Sequence, residues 1–440
     1  MPTLADLQQL RDAPHEFLRQ QPMSDRTLRF GLGPIGFHFL RHPDDVERVL
    51  VTNQANYTKD TFQYRFLAEI TGEGLLTMDG PAWLARRRLE QPAFHRAEVG
   101  TFVPGMHEAT KSMLERWDVH VASGEAIDVQ AEMLQVALQI VVRALFGVEV
   151  ERAGPLTRAT MTMLHYIMGR ARNLGLVPRW LPTPRRAEFR EAMAVLDAAI
   201  HTTVERRRAA GQTIDPRTGT QDLLARLLAA DPAEQLSDQA LRNEMVTMIV
   251  AGHETVASAL SWTWHLVGGH REVDERLAEE AGRVLGGGAP TVDSLAALPY
   301  LRNVFQETLR LYPPAWIITR KARGADHVGG TSIRMNGLVV LSPYATQRDA
   351  RWWDDPDHFD PDRFTSARSA GRPRFAYFPF GGGPHQCIGN HFSMVEAAVI
   401  MAAVAQRYRL EGLPGHQVVV DPGVTLAPRG GLPMRVRARG

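Results

Sequence analysis

Apolar residues recur at helical spacing over most of this chain, and the longest such run begins at Ser237 and ends near Gly268. A serine hydroxyl at that start can accept from the free amides of a first turn. At ~1.5 Å per residue the run would span ~48 Å, and its middle is apolar enough to predict a helix crossing the interior. From Thr101 to Ile200 the same spacing persists, interrupted by Gly124, Gly147 and the proline-containing stretch 178–184. After Pro299 the pattern predicts a helix to Tyr312, stopped by Pro313-Pro314. His42-Pro43-Asp44-Asp45 opens another, continuing through Val46, Val49 and Leu50. Strand patterns are short: residues 30–33 with 37–39 as a hairpin, and 338–341. Polar or glycine-rich stretches at 211–220 and 286–288 read as loops, and neither a repeat nor a linker divides the chain. The expectation is one mainly α domain with small β-sheets over residues 1–440.

Composition narrows the class. With 44% hydrophobic residues the chain can bury a sizeable core. A net charge of +1 argues against electrostatic nucleic-acid binding. Of 50 basic residues only Lys59, Lys111 and Lys321 are lysine, and the arginines are scattered rather than stacked in a run. Residues 1–29 lack an apolar stretch between a basic start and a cleavage site, so no signal peptide is expected. No window approaches 18 uninterrupted apolar residues, so no membrane span is expected either. A single cysteine excludes an intramolecular disulfide and fits a reducing compartment; the expected location is cytoplasmic.

That cysteine changes the picture. Cys387 has Phe380 seven residues before it, Gly383 four before and Gly389 two after. Given one cysteine, chance would produce this about 3 times in 10,000 from the composition. The pattern F-x-x-G-x-x-x-C-x-G resembles the haem-thiolate loop of the cytochrome P-450 family. The resemblance implies a triangular helical prism around a buried haem b, with Cys387 as the iron ligand. A thiolate pushes electron density onto haem iron and favours O–O cleavage. Glycines at 381, 382, 383 and 389 would let the backbone approach the porphyrin and point amides at sulfur. Phe380 and Ile388 would exclude water, and the helix expected over residues 391–396 would place its N-terminal dipole near the sulfur.

Other stretches fit the same family. Ala251-Gly252-His253-Glu254-Thr255 matches A-G-x-[DE]-T. One reading is a threonine bonded back to the preceding turn beside a tolerated glycine. The resemblance implies another, in which Gly252 and Thr255 open the helix into a groove for dioxygen. Ala251 and Gly252 would then bound the oxygen pocket, while Thr255 and Glu254 manage protons. H-E-x-x-H zinc chemistry is excluded, because Ala257 stands where the second histidine would be. Glu307, Arg310 and Arg363 match the family's structural triad and are expected to be buried and mutually paired. Trp83, Arg87, Arg320 and His385 match its propionate partners, for which guanidinium offers a bidentate fork. His385 stands where arginine is commoner. Gly31-Leu32-Gly33-Pro34-Ile35-Gly36 spells a dinucleotide fingerprint but leads into a strand, so it reads as a turn.

Within the family, residues 61–65, 74–77, 251–260, 311–317, 341–344 with 346–348, and 430–433 look like bacterial carotenoid-ring hydroxylases of the Thermus–Deinococcus type. Gln63, Tyr64, Trp316 and Ile317 fall where that group lines its substrate channel, although core packing would read the same in sequence. The resemblance implies a monooxygenase using O2 on a large apolar substrate, with electrons from a separate ferredoxin and ferredoxin reductase. Arg86, Arg88 and Arg96 are candidates for the docking face, or simply solvated charges. Residues 161–184, rich in Met, Leu and Trp, could form an entrance that dips into a bilayer surface. Rival readings keep the scaffold but change the chemistry: a terpenoid, steroid or fatty-acid oxidase, a peroxygenase or isomerase, or a haem-based sensor. The intact acid–threonine pair disfavours the non-oxygenase readings.

Overall fold

The computed structural model describes residues 4–21, 27–32, 35–147, 154–172, 183–211, 222–230 and 235–439. These are mainly helical with small sheets, as the spacing of apolar positions predicts. Five helices carry or adjoin the candidate residues: α1 (Phe62–Thr71), α2 (Gly80–Glu90), α3 (Asp238–Gly269), α4 (Pro299–Leu311) and α5 (Asn390–Arg407). The chain divides into two compact units, the first of residues 1–66, 306–387 and 421–427, the second of the remainder.

The first unit is built on a five-stranded sheet, ordered Thr27–Leu32, Ile35–Leu40, Leu338–Leu341, Ile318–Ala322 and Tyr57–Thr58. Ile35–Leu40 pairs antiparallel with the first strand and parallel with Leu338–Leu341, Phe37 lying opposite Leu338. Phe37, His38 and Phe39 are all buried. Both faces of this strand are therefore covered, the one bearing His38 as well as the one bearing the two phenylalanines. The helix predicted after His42 forms over Pro43–Glu47, with the His42 ring accepting from the Asp44 amide. It then widens into a π turn over Arg48–Thr52, which periodicity alone did not indicate. Leu40, Val46, Val49, Leu50, Ile318, Leu341, Phe375 and Phe378 close over one another as this unit's core.

The second unit is organised by α3. Ser237 caps it, its hydroxyl accepting from the Ala240 amide at 3.2 Å. Every residue of α3 from Asn243 to Trp264 is buried except Ala251, Gly252 and Thr255. The helix Val129–Phe146 packs along it. That helix is long and apolar enough to cross a membrane by composition, but 67% of it is buried within the protein. Gly124 and Gly147, read as breaks, terminate helices with φ of 72° and 62°. Glycine, with no Cβ, takes this left-handed geometry at least cost. A three-stranded antiparallel sheet of Ala126–Asp128, Pro433–Ala438 and Tyr408–Gly412 completes the unit. The literal fingerprint at 31–36 takes in the paired ends of two antiparallel strands, Gly31 opposite Gly36 and Leu32 opposite Ile35, and its residues 33 and 34 fall outside the described residues. Parts of the loop at 211–220 and of the segment 161–184 also lie outside them.

Candidate functional site

In the first unit the cysteine loop is held by its own backbone. The Cys387 amide donates to the Phe380 carbonyl at 3.0 Å and the Gln386 amide to Gly383 at 3.0 Å. Gly383 has φ +66°, and a Cβ there would collide with the carbonyl oxygen of Leu50, within the π turn. A Cβ at Gly382 would run into the Phe375 ring. Gly381 also has positive φ, +69°, but its surroundings are open. The glycine run therefore seats the loop on the core at 382 and 383. The thiol of Cys387 is exposed at the end of this loop, with His385 half-buried two residues before it and Phe380 half-buried at its start.

Arg320, on the strand Ile318–Ala322, is only 6% exposed. Its Nη1 donates to the Tyr64 hydroxyl at 2.8 Å and to the Thr319 carbonyl at 2.9 Å. Gln63 is bonded at both ends: Nε2 donates to the Ile317 carbonyl at 3.1 Å, and Oε1 accepts from the Thr319 amide and hydroxyl. The structure thus brings Gln63, Tyr64, Ile317 and Arg320 into one network. Trp316 is not in it. Its indole is 5% exposed and donates to the Gly423 carbonyl at 3.1 Å, so core packing accounts for this residue.

Glu307, Arg310 and Arg363 are buried and paired. Arg310 forks onto both oxygens of Glu307, at 2.7 and 2.8 Å, and donates to the carbonyls of Gln347, Pro356 and His358. Arg363 lies 3.3 Å from the same carboxylate, which also accepts from the Asp360 amide.

In the second unit, Ala251, Gly252 and Thr255 lie on one face of α3, at i, i+1 and i+4. The helix is continuous here, which corrects the expectation that Gly252 and Thr255 open it. The Thr255 hydroxyl donates to the Ala251 carbonyl at 2.8 Å, leaving the ladder intact. What the structure does show at these positions is partial exposure of Ala251, Gly252 and Thr255. At Gly252 a Cβ would approach Val141 to 3.0 Å, so glycine lets two helices close together, and the small side chains leave a shallow face in an otherwise buried helix. Glu254 is buried, and His253 is wholly buried, its pKa pushed down to about 4 by loss of solvent; it is neutral.

Trp83 and Arg87, one turn apart on α2, are buried and half-buried. Arg86 corrects a reading made from sequence. It is no solvated docking charge: it donates to the wholly buried Glu244 of α3 at 2.6 Å. Glu244 also accepts from the Leu75 amide at 3.0 Å. Glu90, one turn beyond Arg86 and wholly buried, carries its carboxyl group close enough to Glu244 to feel its charge. Burial first, then the neighbouring Glu244 charge, lifts the Glu90 pKa well above the ordinary carboxylate range. Burial raises that of Glu244, opposed by the Leu75 amide and Arg86. Both carboxyl groups are thus held towards the protonated form, and Arg86 opposes this at Glu244, with which it is paired. Arg88 and Arg96 are exposed. The pattern Arg86-x-x-x-Glu90 could have signalled a shared face, but nothing in sequence marked Glu244 as its partner. Lys59 was also missed. It is 7% exposed, with its ammonium 5.8 Å from the Tyr64 ring centroid, and its rarity among so many arginines was the available signal.

A cytochrome P-450 family model matches residues 1–429. The chain belongs to the cytochrome P-450 family. It is 33% identical over 420 residues to cyclooctatin synthase of Streptomyces melanosporofaciens, covering 94% of this chain and 89% of that protein. It is 28% identical over 440 residues to the chloroplastic carotene epsilon-monooxygenase of Arabidopsis thaliana, covering 93% and 79%. The crystal structure of CYP175A1 from Thermus thermophilus superposes with a TM-score of 0.78 at 31% identity, covering 99% of this chain and 97% of that one. The enzyme is a cytochrome P-450 monooxygenase and its cofactor is haem b. The residues present suit that group. The chain's one thiol ends a loop that glycines fit onto the core. Among the described residues no carboxylate pairs with buried Arg320, so its charge is available to an anion.

Proposed function

We propose that this cytochrome P-450 hydroxylates a C–H bond of a large apolar terpenoid, the end ring of a carotenoid being its preferred substrate. The observation that carries the reading is the shallow face of Ala251, Gly252 and Thr255 in a helix buried on either side of it. Relatives named for cyclooctatin and carotene support a terpenoid substrate. Binding of a polyene would come from buried apolar area, at ~25 cal/mol per Å².

Cys387 is the residue to ligate iron, framed by Phe380, Gly383 and Gly389. Trp83, Arg87, Arg320 and His385 are the residues to hold the propionates. Haem b, once bound, supplies activation of O2 by two electrons, taken from a ferredoxin and its reductase. One oxygen atom enters the C–H bond, and the other leaves as water with two protons. The protein's share is to deliver those protons in order. While the Thr255 hydroxyl donates to Ala251, its lone pairs remain able to accept from water. Thr255 thus orients a water above Ala251 and Gly252, and Glu254 replenishes its protons. The neutral His253 adds no charge to the helix at this point. We place the enzyme in the cytoplasm, drawing substrate from a bilayer surface.

Purified enzyme, a ferredoxin with its reductase and O2, offered carotenoids alongside smaller terpenes, steroids and fatty acids, tests the assignment. Hydroxylated carotenoid rings, identified by mass spectrometry and NMR, are the expected products. Turnover confined to the smaller substrates would overturn the carotenoid preference; no turnover of any would favour a sensor.

A further inference from the structure

We propose that Tyr64 is a positioning residue for Arg320, and through it for a haem carboxylate, rather than only a wall of the substrate channel. The inference rests on the reading above that Arg320 holds a propionate. The Tyr64 hydroxyl accepts from Arg320 Nη1 at 2.8 Å, and its ring stands 5.6 Å from the guanidinium carbon. Lys59 approaches the same ring at 5.8 Å, so two buried cations flank one phenol. The hydroxyl and the Thr319 carbonyl both engage Nη1, which fixes the plane of the fork and leaves its other nitrogen, Nη2, to face an anion.

The support beneath Tyr64 is built for this task. Its neighbour Gln63 makes three hydrogen bonds here, two to Thr319 on the strand of Arg320 and one to Ile317 just before it. Thr61 adds a fourth, its hydroxyl 2.6 Å from that of Thr319. The first turn of α1 and the strand Ile318–Ala322 therefore move together. With its amide bonded at both ends, Gln63 acts as a latch between these two elements. Substrate pressing on α1 would be felt at Arg320.

The test is the rate at which haem leaves the protein for an excess of apomyoglobin, measured for wild type, Tyr64→Phe, Arg320→Met and the double variant. Loss of one hydrogen bond to a charged group predicts about tenfold faster haem loss for Tyr64→Phe. Arg320→Met should lose haem faster still, and the double variant no faster than Arg320→Met. A wild-type rate for Tyr64→Phe, or additive effects in the double variant, would overturn the positioning role. If only the KM for substrate moves in Tyr64→Phe, the channel-wall role alone stands. A wild-type rate for Arg320→Met would instead refute the propionate assignment of Arg320. Should Arg320→Met purify without haem, Arg320→Lys replaces it in the same cycle.

Discussion

Arg310→Ala should destabilise the protein by about 3–5 kcal/mol, the usual cost of removing one partner from a buried ion pair. All five N–H groups of Arg310 are occupied, two by Glu307 and three by the carbonyls of Gln347, Pro356 and His358. Truncation leaves three carbonyls short of a donor, each worth about 1 kcal/mol. It also removes a guanidinium packed 5.0 Å from the Trp353 ring. Against this, Glu307 is not wholly stranded, because Arg363 and the Asp360 amide still hold one oxygen. These opposing corrections are of similar size, so the estimate keeps its range. At an unfolding entropy of about 2.1 cal/mol/K per residue, the melting temperature of the 440-residue chain falls by about 3–5 °C. Scanning calorimetry of the haem-loaded variant measures this directly. Arg310→Lys keeps the charge but loses the fork, and should fall between alanine and wild type. A melting temperature for Arg310→Ala within about one degree of wild type would refute the reasoning.

Three further outcomes follow from the geometry. Glu90 has its folded pKa raised by burial and by Glu244, so its contribution is fully present below the unfolded pKa and is lost as pH rises towards the folded value. Glu90→Gln removes that titration and should gain stability over wild type as pH rises above the ordinary carboxylate range, by up to about 1.4 kcal/mol per unit, read from denaturant midpoints at each pH. Gly383→Ala, which must displace the Leu50 carbonyl, should abolish haem incorporation, whereas Gly381→Ala, strained only in φ, should cost about 1–2 kcal/mol and retain haem, as absorbance ratios will show. Thr255→Ala should bind substrate and consume electrons normally while releasing more peroxide; tight coupling in that variant would count against its role in proton delivery.

The long helix was legible because its two signals, a serine cap and an apolar middle, are local. So were the glycine ends at 124 and 147, where backbone geometry selects the residue. The five-stranded sheet was not, because it joins pieces as distant as Tyr57 and Ala322 and its shortest strand has two residues. At the site, the Cys387 loop was readable from spacing alone. The seating of Gly383 on a π turn was not, since that contact lies over 300 residues away in sequence. Gln63 and Tyr64 were noticed by likeness to carotenoid-ring hydroxylases, but their polar atoms turn to partners 254 to 256 residues on. For Trp316 sequence leaves channel and core open, because both want a large apolar ring; the structure shows it buried, with its indole bonded to the Gly423 carbonyl. Arg86 looked like surface charge because sequence shows neither burial nor the acid 158 residues away.

The central claim, that the sole cysteine supplies the thiolate beneath haem iron, is tested most directly by Cys387→Ser. Reduced and exposed to carbon monoxide, the wild-type protein should show the long-wavelength absorption band of a thiolate-ligated haem, and the serine variant should lose it while still binding the pigment. Retention of that band by the serine variant would contradict the account.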